Sequence, residues 1–250
     1  MPETSPPSPP SSSSPPVRPV TVLTVNTGRA TSAAQTDAPS GLTGIDKRPV
    51  AGPVAVGAPG PRGVGGSGLA GDTVCDLRFH GGDDQAVYAY AREDLDRWEG
   101  LLGRPLANGV FGENLTTVGA DLAEVRIGER WRVGGELVLE ATSPRIPCRT
   151  FASWLGESGW VKRFTADARS GVYFRVLTPG QIRAGDGVEV LHRPDHEVTT
   201  RFLFRAMTTA PELRPRVIAA GDALHSRERE RARAWAGLGP VADAPVPDPA

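Results

Sequence analysis

The sequence predicts a mainly β protein: a β-barrel-like domain with one long helix, followed by a small C-terminal three-helix extension. Three observations carry this expectation. Short, apolar, β-branched runs recur between glycine-rich turns over residues 20–195. One stretch, from Asp84 to Gly103, switches to apolar spacing of three and four residues. From His196 onward, over residues 196–238, helical spacing takes over.

The elements follow in chain order. Residues 1–19 hold eight prolines and six serines; such a segment cannot bury a core and is expected to be a disordered or polyproline-like arm. Val20 to Val25 is the first strand. Val87, Ala91, Leu95, Trp98 and Leu102 mark the helix, with Asp83 or Asp84 to cap it and Gly103 and Pro105 to end it. Glu124–Ile127, Trp131–Val133 and Leu137–Ala141 read as strands, the last two joined by a Gly134-Gly135 hairpin. Short helices are expected at Arg149–Leu155 and Val161–Ala168. Val172–Leu177 alternates as a strand, and Ile182–Leu191 reads as a turn and strand. The extension comprises Val198–Met207, a helix opened by Pro211, and Ser226–Trp235. Arg227-Glu228-Arg229-Glu230-Arg231 is either a solvated face with local ion pairs or a docking surface. Residues 239–250, with four prolines, form a second disordered tail.

Composition excludes several functions. The 250 residues carry 28 basic and 29 acidic side chains, a net charge of -1, so bulk electrostatics give no reason to expect nucleic-acid binding. No apolar run reaches the roughly 18 residues of a membrane span, and no charged-then-apolar secretory leader is present. Cys75 and Cys148 are too few for a disulfide framework or a structural zinc site, and a reducing cytosol is the expected compartment. All basic residues but Lys47 and Lys162 are arginines. That habit fits GC-rich coding, so arginine enrichment alone marks no anion site.

Four clusters have the residue types of a ligand site. Ser143-Pro144-Arg145-Ile146-Pro147-Cys148-Arg149 places a thiol in a proline-fixed loop between two arginines. Guanidinium charges favour thiolate, the form that attacks electrophiles or binds soft metals; the alternative is a buried, inert cysteine, which is also the expectation for Cys75. His80-Gly81-Gly82-Asp83-Asp84 could turn backbone amides toward an anion, or be a plain turn. Phe111-Gly112-Glu113-Asn114-Leu115 could offer donors and acceptors to a nitrogen heterocycle, or none. Lys47-Arg48 before Pro49 is a phosphate contact or surface charge. Neither a Walker loop nor a GxGxxG fingerprint is present.

In this order, with Gly44-Ile45-Asp46-Lys47-Arg48-Pro49-Val50 and Gly71-Asp72, these segments resemble the MOSC domain, named for the C-terminal part of molybdenum cofactor sulfurase. The similarity runs from about Thr43 to Arg193, and the helical segment after it resembles the extension of the bacterial YiiM-type branch. The resemblance implies that residues 20–195 are a barrel-like domain holding a molybdenum pyranopterin, with the cysteine at position 148 ligating the metal. That branch is similar to reductases of N-hydroxylated bases such as 6-hydroxylaminopurine. Pyridoxal phosphate binding is a lesser association of the same resemblance. The Pro/Ser arm and Cys75 match no family motif.

The resulting expectation is a reductase of N-hydroxylated small molecules, with Cys148 as both catalytic residue and metal ligand. Lys47, Arg48, Arg145 and Arg149 would contact the cofactor phosphate or shape the thiol's field. His80, Gly81, Gly82, Asp83, Gly112, Glu113 and Asn114 would line the pterin or substrate pocket. Lacking a four-cysteine cluster, the chain would take electrons from a separate flavin or ferredoxin-type donor, and the extension could dimerise or dock that donor. Two other readings stay open: a cofactor carrier or sensor without turnover, and a hydrolase using Cys148 with His80 and Asn114.

Overall fold

The computed structural model describes residues 19–239; apart from Pro19 and Gly239, the expected arm and tail lie outside the described residues. The strands are β1 (Thr21–Gly28), β2 (Thr31–Ser32), β3 (Leu42–Thr43), β4 (Lys47–Pro49), β5 (Val54–Val56), β6 (Val87–Ala91), β7 (Leu115–Val118), β8 (Arg130–Val133), β9 (Leu137–Pro144), β10 (Val172–Thr178), β11 (Gly180–Ile182) and β12 (Val188–His192). The helices are α1 (Arg92–Leu102), α2 (Arg149–Leu155), α3 (Trp160–Asp167), α4 (Thr200–Met207) and α5 (Ser226–Trp235). Eight strands form one sheet, in the order β12-β8-β9-β10-β6-β7-β1-β4, while β11 pairs with β5 and β2 with β3. Within the large sheet only β6 and β7 run parallel.

The sheet rolls but does not close into a barrel. One edge of β1 pairs with β7; its other edge is divided. Asn26 to Gly28 pair with β4, while the start of β1 meets the entrance to β12, where Val22 donates to Asp186 O (2.9 Å) and Val188 donates to Val20 O (2.9 Å). Neither partner occupies the whole edge, so β4 and β12 stay as separate ends.

The long helix is half the expected length. Residues 83–85 form a 3-10 turn, Val87–Ala91 is strand β6, and only Arg92–Leu102 is α-helix. Strand β6 is buried on both faces, so it shows no alternation, and Val87 and Ala91 happen to continue the helical spacing of Leu95, Trp98 and Leu102. The Asp83 and Asp84 caps therefore fall on the 3-10 turn, while the stop is as expected: Gly103 is left-handed (φ 65°) and its amide donates to Glu99 O. Residues 124–127 are also not a strand. A 3-10 turn, Leu122–Glu124, is capped there by Asp121, and Arg126 alone makes a bridge, to Thr199.

Three apolar clusters hold the layers. Val25, Leu115, Trp131, Leu139, Val172 and Phe174 fill the inside of the rolled sheet. An aromatic cluster of Tyr88, Tyr90, Trp98, Phe111, Phe151, Trp160 and Phe164 joins β6 to the three helices α1 to α3. Ile127 anchors the third cluster, where Leu203, Val217, Leu224 and Ala232 bring the C-terminal helices together. The middle element of that extension is a 3-10 stretch, Pro211–Ala223, interrupted at Gly221, whereas α5 spans the expected residues. No helix among the described residues is long and apolar enough to cross a membrane.

Candidate functional site

A cavity of about 630 Å³ opens between the β9–α2 loop, the loop ending at Gly81, the segment before β7 and the start of α5. Its floor is a buried polar chain. Lys47 is covered because β4 tucks it under the loop at Asp72, where its ammonium pairs with the Asp72 carboxylate. Asp72 also accepts from the Gly28 amide (2.8 Å) and from Asn114 Nδ2 (2.8 Å). Asn114 Oδ1 in turn accepts from the Tyr88 amide (3.1 Å). Burial pulls the Lys47 pKa down, against the attraction of Asp72.

Cys148 caps α2: its Sγ accepts from the Phe151 amide at 3.4 Å. The thiol is half-buried and lines the cavity. Arg145 lies beside it, buried, with Nη1 donating to Tyr173 OH (3.1 Å) and its guanidinium over the rings of Phe151 (4.8 Å) and Tyr88 (5.2 Å). Burial opposes its charge, but Tyr173, Tyr88 and the Cys148 thiol outweigh burial and keep it protonated. The second flanking arginine behaves differently. Arg149 starts α2 and turns outward to Asp37 (2.9 Å), with 69% of its side chain exposed.

His80, Gly81, Gly112 and Asn114 line the cavity together with Lys47, Arg145 and Cys148. His80 is half-buried, and its pKa falls to about 4, through desolvation first and then the charges of Arg145 and Arg62. It is a neutral imidazole at neutral pH. Gly112 is left-handed (φ 76°) and a Cβ there would meet Ile45 at 3.3 Å.

Arg48, Gly82, Asp83, Glu113 and Arg149 are not brought to the cavity. Arg48 is exposed and pairs with Asp46 (2.8 Å) on a separate depression, because alternate strand residues face opposite sides and Lys47 takes the inner one. Glu113 is fully buried and accepts from the Gly109 amide (2.5 Å), the Phe111 amide (3.0 Å) and Thr116 Oγ1 (2.9 Å). Burial pushes its pKa up to about 7 against these donors. It fastens its own loop instead of facing a ligand. The Gly82 amide is likewise spent on Gly66 O (3.1 Å), and Asp83 accepts from the Gly60 amide (2.8 Å). These two residues fix the loop that carries Arg62.

The far wall contains side chains that the sequence did not assign to the site. Arg62, His225, Arg227, Glu228 and Arg231 line it, placed there by a glycine-rich loop and by the first turns of α5. His225 Nδ1 lies 2.6 Å from Glu228 Oε2. Of the Arg227–Arg231 run, then, three members face the cavity and are not merely a solvated face. Cys75 is also at the cavity; burial raises its thiol pKa. Phe79, half exposed, and Ile146 form an apolar rim.

Residues 76–189 match the MOSC domain. The uncharacterized protein YflK of Bacillus subtilis (strain 168) is 35% identical over 184 residues, covering 74% of this chain and 79% of that protein. A protein named reductase from Gibberella moniliformis is 34% identical over 118 residues, which are 46% of this chain but 21% of that protein. The crystal structure of YiiM from Geobacillus stearothermophilus superposes with a TM-score of 0.68 and 27% identity, covering 87% of this chain and 99% of that one.

Proposed function

The chain belongs to the MOSC domain family, on its YiiM-like branch, and from that premise we propose that it is a molybdenum-cofactor-dependent reductase of N-hydroxylated compounds. The observation that carries this reading is the surroundings of Cys148. Of the two thiols that line the cavity, Cys75 and Cys148, it is Cys148 that stands beside the buried Arg145 guanidinium. Two buried polar atoms on the same wall, Ser143 Oγ and Arg145 Nε, have no partner among the described residues. A polar, anionic ligand would satisfy both.

These residues fit a molybdenum pyranopterin. Among the described residues no group of three His, Cys, Asp or Glu could hold a metal, so a metal here would take Cys148 from the protein and its remaining ligands from the cofactor. Cys148 would hold the metal; Arg145, Ser143 and Asn114 would meet polar edges of the pterin. When bound, the cofactor supplies a two-electron redox centre, and a hydroxylamine plus two electrons and two protons yields an amine and water. Phe79 and Ile146 at the rim offer an apolar surface to a flat heterocycle. Neutral His80 can donate or accept a hydrogen bond at the substrate without carrying charge. The reductase from Gibberella supports a redox role, although the match spans a fifth of it. The electrons would come from a separate flavin or ferredoxin-type donor in a reducing cytosol.

Metal analysis of purified wild type and Cys148→Ser, followed by turnover of 6-hydroxylaminopurine with a chemical reductant, tests the reading. Molybdenum bound by wild type, lost from Cys148→Ser, and amine formed only by wild type is the expected result. Equal molybdenum in both proteins removes Cys148 from the metal. Bound cofactor with no amine under any reductant makes the protein a carrier.

A further inference from the structure

The α5 side of the cavity is a second cationic region, separate from Lys47 and Arg145. Arg62 donates to the carbonyl oxygen of Arg78 and has no carboxylate partner among the described residues. Arg227 is exposed, lines the cavity, and also pairs with no carboxylate there. Arg231 shares Glu228 with His225. The other nearby acid, Asp84, is already used: Arg175 (2.8 Å) and the Ser226 amide (2.9 Å) take its oxygens. Arg62 feels the repulsion of Arg227 and Arg231 in addition to its burial. Three guanidinium groups thus converge around one acid that is itself shared.

Their placement is built, not incidental. Gly82 packs on the backbone of Arg62 so closely that a Cβ would come within 2.7 Å of Arg62 Cα. Gly81 packs in the same way on Gly66 O. The His225 amide donates to Thr142 O (3.1 Å), next to Ser143, whose buried hydroxyl lines the cavity with no partner among the described residues. The conformation of the two glycines therefore sets Arg62, while β9 sets α5, and both face the same space.

We propose that Arg62, Arg227 and Arg231 form a subsite for a phosphate monoester at the mouth of the cavity. Forked guanidinium donors match the oxygens of a dianion. The subsite rests on the cofactor reading above for what else the cavity holds, and two molecules could bring the phosphate: the tail of the pyranopterin, or a nucleotide form of the N-hydroxylated substrate. In the second case the protein acts on nucleotides in preference to free bases.

Calorimetric titration of the purified full chain with adenosine monophosphate and with adenosine tests it, in wild type, in the Arg62→Gln/Arg227→Gln double variant and in Gly82→Ala. Molybdenum and pterin contents of the same preparations are measured in parallel. If substrate brings the phosphate, the monophosphate binds wild type at least about tenfold more tightly than adenosine, and the gap closes in both variants while pterin content holds. If the cofactor brings it, wild type shows no such gap, and the double variant loses pterin without losing its fold, as judged by thermal melting. A phosphate advantage that is absent in wild type, with pterin content equal in wild type and variants, overturns the subsite. Wild type that binds no molybdenum overturns the cofactor reading alone, and the nucleotide comparison still decides the subsite.

Discussion

Lys47, Asp72 and Asn114 on the cavity floor are buried and bonded to one another, whereas Arg62, Arg227 and Arg231 on the α5 wall are half-buried or exposed, and of the three only Arg231 pairs with a carboxylate, Glu228. Both regions are polar and both face the same cavity. On the floor each charge is solvated only by its neighbours, so the fold depends on every member. On the wall water solvates the charges, and removing one relieves repulsion. The floor is thus constrained by stability, and the wall is free to be shaped by ligand.

Breaking the floor should have the largest effect. Lys47→Met leaves Asp72 as a buried charge without its cation, a change that costs about 3–5 kcal/mol when one partner of a buried pair is removed. A urea titration checks it; a loss similar to that of a surface substitution would erase the contrast between floor and wall. Next in size is Gly82→Ala, which places a Cβ against the Arg62 backbone at a left-handed φ of 81°. Denaturation should show it destabilised by roughly 1–3 kcal/mol.

Glu113 sharpens the comparison through pH. Its folded pKa of about 7 lies above the ordinary 4.5, so the folded protein keeps a proton that the unfolded chain releases. The stability this confers is full below pH 4.5 and is lost as the pH rises to about 7. Glu113→Gln lacks that slope, so its penalty relative to wild type should shrink between those pH values in paired denaturation curves. The smallest effect belongs to the wall. Arg227→Gln should change stability by less than about 0.5 kcal/mol, and a melting temperature well below wild type would show that α5 uses this arginine for packing.

Local signals marked some elements well. The helix from Arg149 to Leu155 spans the expected residues, and the expected hairpin turns at Gly134, whose φ is 62°. Strand β6 was hidden because burial on both faces removes the alternation that marks a strand. Side-chain direction was hidden too. Arg145 and Arg149 flank the thiol alike in the sequence, but the first turn of α2 sends Arg149 to Asp37 while Arg145 stays inside under Tyr173. Glu113 looked like a ligand contact because it stands beside Asn114, yet adjacent residues at that turn face opposite ways. On the α5 wall the Arg227–Arg231 run was visible as a charged stretch, but its place at the cavity opposite Arg62 was not, since Arg62 and α5 come to the same cavity only through the packing of distant segments.

Arg175 joins the sheet to the extension. Besides Asp84 and Glu140 (3.2 Å), its guanidinium holds the carbonyl oxygens of Asp222 (3.1 Å), Ala223 (3.2 Å) and Leu224 (3.0 Å), just before α5 begins. Swinging α5 outward would strand all of these groups together. The start of α5 is therefore tied to the sheet at the edge of the cavity through one guanidinium. Cutting the chain before α5 would widen the entrance as well as remove helices, so a truncated protein that loses activity has not thereby revealed a docking surface.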